Sequence, residues 1–303
     1  MNKSKKRIVV ATRKSELALA QCRQFLARLS QKHPHLEIEE LHVVTTGDKI
    51  LDQPLASIGG KGLFLKEIEE TLLDGTADFA VHSMKDVPPQ LYEGLTIACV
   101  PEREDPRDVI ITTDGRLLSE MPEGSVLGTS SLRRGVQLLK QRPDLKVVPI
   151  RGNVGTRIRK CREGEVDITV LARAGINRLK LQREVSETLT AEYCLPAVGQ
   201  GALAIEIRDE DEEMRQLLSV LSHEETLLCT TCERGVMTAV DGDCKTPVAA
   251  FAQKIGSSVR LRGLLANPDG SHLRVEDILR PWPETVTEAH ALGHSLGEKL
   301  KNA

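Results

Sequence analysis

The sequence predicts an α/β protein with two similar doubly wound domains facing each other across a cleft, followed by a small α+β third domain. Three observations carry this. Short β-branched runs alternate with helix-period segments through the first two-thirds of the 303 residues, the pattern of a mainly parallel sheet covered by helices. The stretch Gly75 to Val81 (GTADFAV) lines up with Gly164 to Val170 (GEVDITV), each a turn running into a buried strand. A chain of this length also buries about three-quarters of its unfolded surface, enough for two or three domains.

The elements follow in order. Arg7 to Thr12 reads as a strand, Ser15 to Gln31 as a helix, Ile38 to Thr45 as a strand, Leu63 to Leu73 as a helix and Ala77 to His82 as a strand. Strands at Val109 to Thr112, Ser125 to Gly128, Leu145 to Ile150 and Val166 to Ala172 repeat the pattern, with helices starting near Leu132 and Val154. Between the two sets lies Pro101 to Asp108 (PEREDPRD), a charged stretch with two prolines that suits a crossover. A second crossing is expected at Leu195 to Gly201, before a strand at Ala202 to Ile207. The acidic run Asp209 to Glu213 suits a helix N-terminus. Strands at Pro247 to Gln253 and Val259 to Leu265, then a helix from Glu284 to Lys301, make up the third domain.

Composition narrows the function. Aromatics are 2% of the chain: Phe25, Phe64, Phe79, Phe251, Tyr92, Tyr193 and Trp282. The core must be aliphatic, and a base-stacking nucleic-acid binder lacks its platforms. The net charge is −3, yet ten Lys/Arg and one Asp lie between Gly128 and Arg162, a local +9 that leaves −12 elsewhere. A cationic field inside an acidic chain points to a small polyanionic ligand, not to nucleic acid. Charges break the run after the basic N-terminus before a signal segment could form, and no stretch approaches the ~18 apolar residues of a membrane span. The expectation is a cytoplasmic protein with no membrane partner, its seven cysteines reduced.

The motifs differ in force. Gly59 to Gly62 (GGKG) lacks the Ser/Thr of a Walker A loop and is read as part of a mobile lid spanning Thr46 to Gly62. Cys229 and Cys232 form a lone CxxC, read as packed within a helix, and His290 with His294 as part of a solvated terminal helix; no metal site is expected. His82 to Pro89 (HSMKDVPP) follows a buried strand, where α/β sheets bind ligands, and offers Ser83, Lys85 and Asp86 together. Gly128 to Arg134 (GTSSLRR) and Arg151 to Arg157 (RGNVGTR) each join a strand end to a helix start, with backbone amides and arginines suited to carboxylates or phosphates. No GxSxG elbow or Ser-His-Asp set accompanies them. Cys244, in the turn Asp241 to Pro247 (DGDCKTP), is either an inert loop thiol or an exposed nucleophile beside Lys245.

Taken together, these segments resemble the porphobilinogen deaminase family. The matching text is ATRKS (11–15), GGKGLF (59–64), AVHSMKDVP (80–88), EREDPRD (102–108), GTSSLRR (128–134), IRGNVGTR (150–157), LPAVGQGA (195–202) and the Cys244 turn, in the same order over nearly the full chain. The resemblance implies two domains like a periplasmic-binding-protein pair, residues 1–101 with 202–219 and residues 102–201, and a third, 220–303. It implies a dipyrromethane cofactor joined to Cys244 by a thioether. Four porphobilinogen units would be added head to tail, each losing ammonia, before hydrolysis releases hydroxymethylbilane, a step of tetrapyrrole and heme biosynthesis.

The resemblance makes Asp86 the catalytic residue, assisting protonation of the leaving amine and stabilising the cationic pyrrole. Lys85, Ser83, Thr129, Ser131, Arg133, Arg134, Arg157 and Gln200 would join Cys244 in binding the cofactor. Arg13, Ser15, Phe64, Arg151 and Arg178 would receive substrate, with Phe64 against a pyrrole ring. Two acids on each ring explain why an acidic chain concentrates arginines. Ser57 stands where many members carry a lysine, and Asp243 and Lys245 replace a glycine and a glutamine. A monomer is the family expectation. The competing reading is a cytosolic two-domain anion-binding or sensor protein without chemistry, for which Asp86 and Cys244 would have no use.

Overall fold

The computed structural model describes residues 6–49, 65–242 and 246–303. The first lobe opens with β1 (Lys6–Arg13) and α1 (Glu16–Lys32). The Ser15 hydroxyl caps α1 by accepting the Ala18 amide at 3.3 Å, and Lys32 in the last turn complements the helix dipole. The buried stripe of α1, which includes Ala18, Cys22, Phe25 and Leu29, covers the sheet, where Phe25 meets Phe79 edge to face at 6.0 Å. β2 (Leu36–Val43), the short α2 (Thr46–Lys49), α3 (Lys66–Leu73), β3 (Phe79–Ser83) and β4 (Leu95–Cys99) follow.

The second lobe repeats the plan with β5 (Asp108–Thr112), β6 (Val126–Gly128), α4 (Leu132–Gln141), β7 (Lys146–Val148), α5 (Val154–Arg162), β8 (Ile168–Ala172), α6 (Arg173–Arg178) and the two-residue β9 (Glu187–Thr188). The chain then returns to the first sheet as β10 (Leu203–Arg208). The strand orders are β2-β1-β3-β10-β4 and β7-β6-β8-β5-β9. In both, the fourth strand is antiparallel to its neighbours and is the one supplied by chain arriving from the other lobe.

That reversal is the main departure from the parallel sheet expected from sequence, and it has a simple cause. Both crossings run along the cleft edge, so the arriving strand enters beside the end of its neighbour: Leu203 pairs with Ser83, and Asp108 with Ala172. The strand expected to reach Thr45 stops at Val43, and α3 begins at Lys66; the start of the expected lid, Gly47 included, lies in α2, while Leu63, Phe64 and the GGKG run lie outside the described residues.

After α7 (Glu212–Ser219), capped by Asp211 as the acidic run suggested, the third domain packs α8 (Glu224–Ala239) and α9 (Val286–Asn302) on one face of an antiparallel meander. Its strands are β11 (Val248–Ile255), β12 (Ser258–Leu265) and β13 (Arg274–Pro281). The two helices approach so closely that a methyl at Gly293 would run into the Cys232 carbonyl. Cys229 and Cys232 are buried in this core, where burial pushes their thiols up to about 12. His294 is exposed and His290 half-buried on α9. β4 and β13 escaped the sequence reading, β13 because its RVEDILRP text is polar and lies largely exposed. Among the described residues no helix is long and apolar enough to cross a membrane.

Candidate active site

The cleft floor is built where strands end. β3 finishes at Ser83 and turns through a 3₁₀ segment, Met84–Asp86, closed by the Val87 amide donating to the Met84 carbonyl at 3.1 Å. Lys85 and Asp86 are exposed on this turn, while Met84 is buried beneath it. The Ser83 hydroxyl accepts from Gln21 Nε2 of α1 at 2.7 Å. Arg13 is the last residue of β1 and half-buried, two positions before the capping Ser15.

On the facing lobe, Thr129 and Ser131 turn β6 into α4. Thr129 Oγ1 accepts the Ser131 amide at 3.2 Å and Ser131 Oγ accepts the Arg134 amide at 3.4 Å, so two amides at this helix start already have side-chain partners. Arg133 and Arg134 turn inward to Asp108, the fully buried first residue of β5, with ion-pair distances of 2.7 Å each. Cys194 Sγ and Gln200 Nε2 donate to the same carboxylate at 3.5 and 2.9 Å. Burial pushes the Asp108 carboxyl up, but the two guanidiniums outweigh it and hold it well below the usual carboxylate range. Gln200 Nε2 also donates to the Pro106 carbonyl at 2.6 Å, while its Oε1 is buried without a hydrogen-bond partner among the described residues.

The structure gives the ten cations of the basic stretch different surroundings. Arg142 pairs with Asp144, Arg159 with Glu163, Lys160 with Glu165 and Arg162 with Glu184. Pairs of this kind, several of them well exposed, contribute little stability and no field to the cleft. Arg133 and Arg134 are buried against Asp108, Lys140 and Lys146 are exposed, and Arg151 and Arg157 are half-buried. Arg157 Nε donates to the Gly152 carbonyl at 2.9 Å, and its guanidinium is pulled down to about 10 by burial and by the charges of Arg134 and Arg151. Lys85 is open to the cleft yet enclosed by protein. Desolvation, only partly offset by Asp86, and the fields of Arg134 and Arg133 bring its ammonium down to about 8. Arg178, at the end of α6, donates to the Gly201 carbonyl at 2.8 Å and is lowered to about 10 by burial.

Burial and the fields of neighbouring arginines lower Lys85 and Arg157, and cations held in this way suit a ligand carrying several negative charges. The orphaned Gln200 carbonyl adds an acceptor for an N–H donor. A dipyrromethane offers both, carboxylates and pyrrole N–H groups, so these residues fit it. Cys244 and Phe64, with Ser57, Asp243 and Lys245, lie outside the described residues.

Sequence reading missed Asp108 as the hub. Its signal was an acid that closes the EREDPRD stretch directly before the apolar run Val109 to Ile111. It also missed the buried pair of Arg103 with Glu233, 2.6 Å apart, which ties the first crossing to α8. Glu233 further accepts the Gly199 and Ala252 amides at 2.7 and 3.0 Å.

Fold and site together define a two-lobed α/β protein with a cation-lined cleft and a third domain braced against both crossings. Residues 8–216 match the family described as porphobilinogen deaminase, dipyromethane cofactor binding domain, and residues 227–302 match its C-terminal domain. Porphobilinogen deaminase of Sorangium cellulosum is 53% identical over 97% of this chain and 98% of its own. That of Macrococcus caseolyticus is 50% identical over 88% and 87%. Among solved structures, the periplasmic aliphatic sulphonate binding protein SsuA from Escherichia coli aligns with 77% of this chain and 70% of its own, at 14% identity and a TM-score of 0.41. The chain belongs to the porphobilinogen deaminase family.

Proposed function

We propose that porphobilinogen is coupled on the cleft floor beside Asp86, which acts as the acid–base group. Membership of the family makes the chain a transferase of tetrapyrrole biosynthesis that works with a dipyrromethane cofactor. When bound, the cofactor supplies the pyrrole carbon to which substrate is joined. The observation that carries this reading is the crowding of cations: Lys85 and Arg157 are each lowered by burial and by the field of Arg134, and Arg133 and Arg134 share one acid, Asp108. Such a floor holds more cations than acids until a polycarboxylate arrives.

Lys85, Ser83, Thr129, Ser131, Arg133, Arg134, Arg157 and Gln200 hold the cofactor, and Cys244 carries it through a thioether. Arg13, Ser15, Phe64, Arg151 and Arg178 receive the substrate's acetate, propionate and ring. Asp86 moves a proton to the departing amine and then faces the positive charge that develops on the pyrrole as ammonia leaves. The domains are residues 1–101 with 202–219, 102–201 and 220–303, a division supported by the return of β10 to the first sheet. A monomer is the state that the family resemblance implies. Six described cysteines are unpaired thiols, the state kept in the cytoplasm.

Intact mass separates this reading from a binding protein without chemistry. Protein purified from cells that make porphobilinogen should exceed its polypeptide mass by two pyrrole units, with Cys244 resistant to alkylation. A bare mass with Cys244 freely alkylated would overturn it.

A further inference from the structure

Arg234 stands in α8 next to Glu233 but points elsewhere. Its guanidinium donates to three consecutive carbonyls of the first lobe, Val87 at 3.2 Å, Pro88 at 2.8 Å and Pro89 at 3.1 Å, with Met84 Sδ 3.9 Å away. These carbonyls follow Asp86 directly. Pro88 and Pro89 carry no N–H, so this segment cannot be tied into a ladder by its own amides. Met84, at the other end of the turn, is pressed against Gly199 of the second crossing, where a methyl would collide with Met84 Cγ. The turn is thus held between the crossing and α8.

The contact is unusual for a cation in this position. Arg234 makes no ion pair among the described residues, and burial pulls its guanidinium down to about 10 with only the field of Glu206 opposing. Desolvating a guanidinium against carbonyls costs stability that an apolar residue would not lose. What arginine provides there is a planar fork of several donors, able to fix three oxygens at once.

We propose that Arg234 is a positioning residue for Asp86, latching the domain that carries Cys244 onto the turn that carries the acid–base group. This rests on the assignment of Asp86 above. Cys244 lies ten residues along the chain from Arg234, shortly after the last residue of α8.

The test uses purified, cofactor-loaded protein with Arg234→Lys and Arg234→Met, each alone and the second also combined with Asp86→Asn. Amide hydrogen exchange should rise within residues 84–92 in both single variants and stay unchanged in the cores of both sheets. In each, kcat should fall about ten- to hundredfold, as small misplacements of a reacting group do, with KM for porphobilinogen near wild type. In the Asp86→Asn background, Arg234→Met should add less than about a further twofold, because it acts through the missing carboxylate. Unchanged exchange at 84–92, a rise spread over the whole chain, a KM effect with kcat kept, or losses that multiply in the double variant would each overturn the proposal. Full activity in Asp86→Asn alone would instead remove the Asp86 assignment, and the exchange data would still decide whether the latch exists.

Discussion

The main-chain amide of Glu104 donates to the Gly201 carbonyl at 3.2 Å, so the two segments that cross between the lobes lie against each other. Asn177 and Arg178 of α6 brace the same spot, the first through Glu104 Oε1 at 3.0 Å and the second through the Gly201 carbonyl at 2.8 Å. Gly201 holds a φ of +92°, and a Cβ there would strike the Glu104 carbonyl oxygen. We expect Gly201→Ala to cost about 2–4 kcal/mol, from strained backbone and forced separation of the crossings. Thermal unfolding reads this directly, and an unchanged midpoint would show that the crossings can part freely.

Asp108→Asn leaves Arg133 and Arg134 buried without their acid and should destabilise the protein by about 3–5 kcal/mol at neutral pH. The carboxyl titrates lower in the folded chain than unfolded. Its contribution is therefore complete above the unfolded value near ~3.9 and is lost as pH falls toward the folded one. The gap between wild type and Asp108→Asn should narrow below about pH 4. A gap that is constant from pH 7 to pH 3 would contradict the ion-pair account.

Asp86→Asn should keep the fold, since Asp86 is exposed on its turn, and lose about 10²–10⁴ in kcat, the range for a general acid or base. Product formation near the wild-type rate would remove Asp86 from the mechanism.

Lys85, lowered to about 8, holds a substantial neutral fraction at pH 8 in cofactor-free protein. An amine-directed reagent should label it ahead of Lys140 and Lys146, and loading the cofactor should protect it. Its pH dependence has the same sign as that of Asp108 but falls in a higher window: between about 8 and the unfolded value near ~10.4, stability rises with pH, because only the unfolded chain keeps the proton. Labelling of Lys85 at the pace of surface lysines would show that the cleft does not desolvate it.

Arg151→Leu should weaken cofactor assembly or chain growth about ten- to hundredfold, the worth of a charge-assisted hydrogen bond to a carboxylate. Lys160→Leu, which loses only a partner 3.4 Å away in Glu165, should change activity less than about twofold. Equal losses in the two variants would refute the assignment of Arg151 to substrate binding.

The sequence by itself determined the elements and the chemistry on offer. Periodicity placed β1, α1, β3, α4, α5 and β8 to within a few residues, because alternating burial and capping hydroxyls such as Ser15 and Ser131 are local properties of the chain. The text around Lys85, Asp86 and Arg133 announced an anion site for the same reason. What only the tertiary structure decided is which acid each cation meets. Arg142, Arg159, Lys160 and Arg162 share the basic stretch with Arg133 and Arg134, yet pair with acids of their own. Asp108 meets Arg133 and Arg134 from 25 and 26 residues away. Arg234 reaches Val87 across 147 residues. No local pattern encodes such pairings, because they arise when two crossings and a third domain pack against one cleft floor and each buried charge must find its counterpart there.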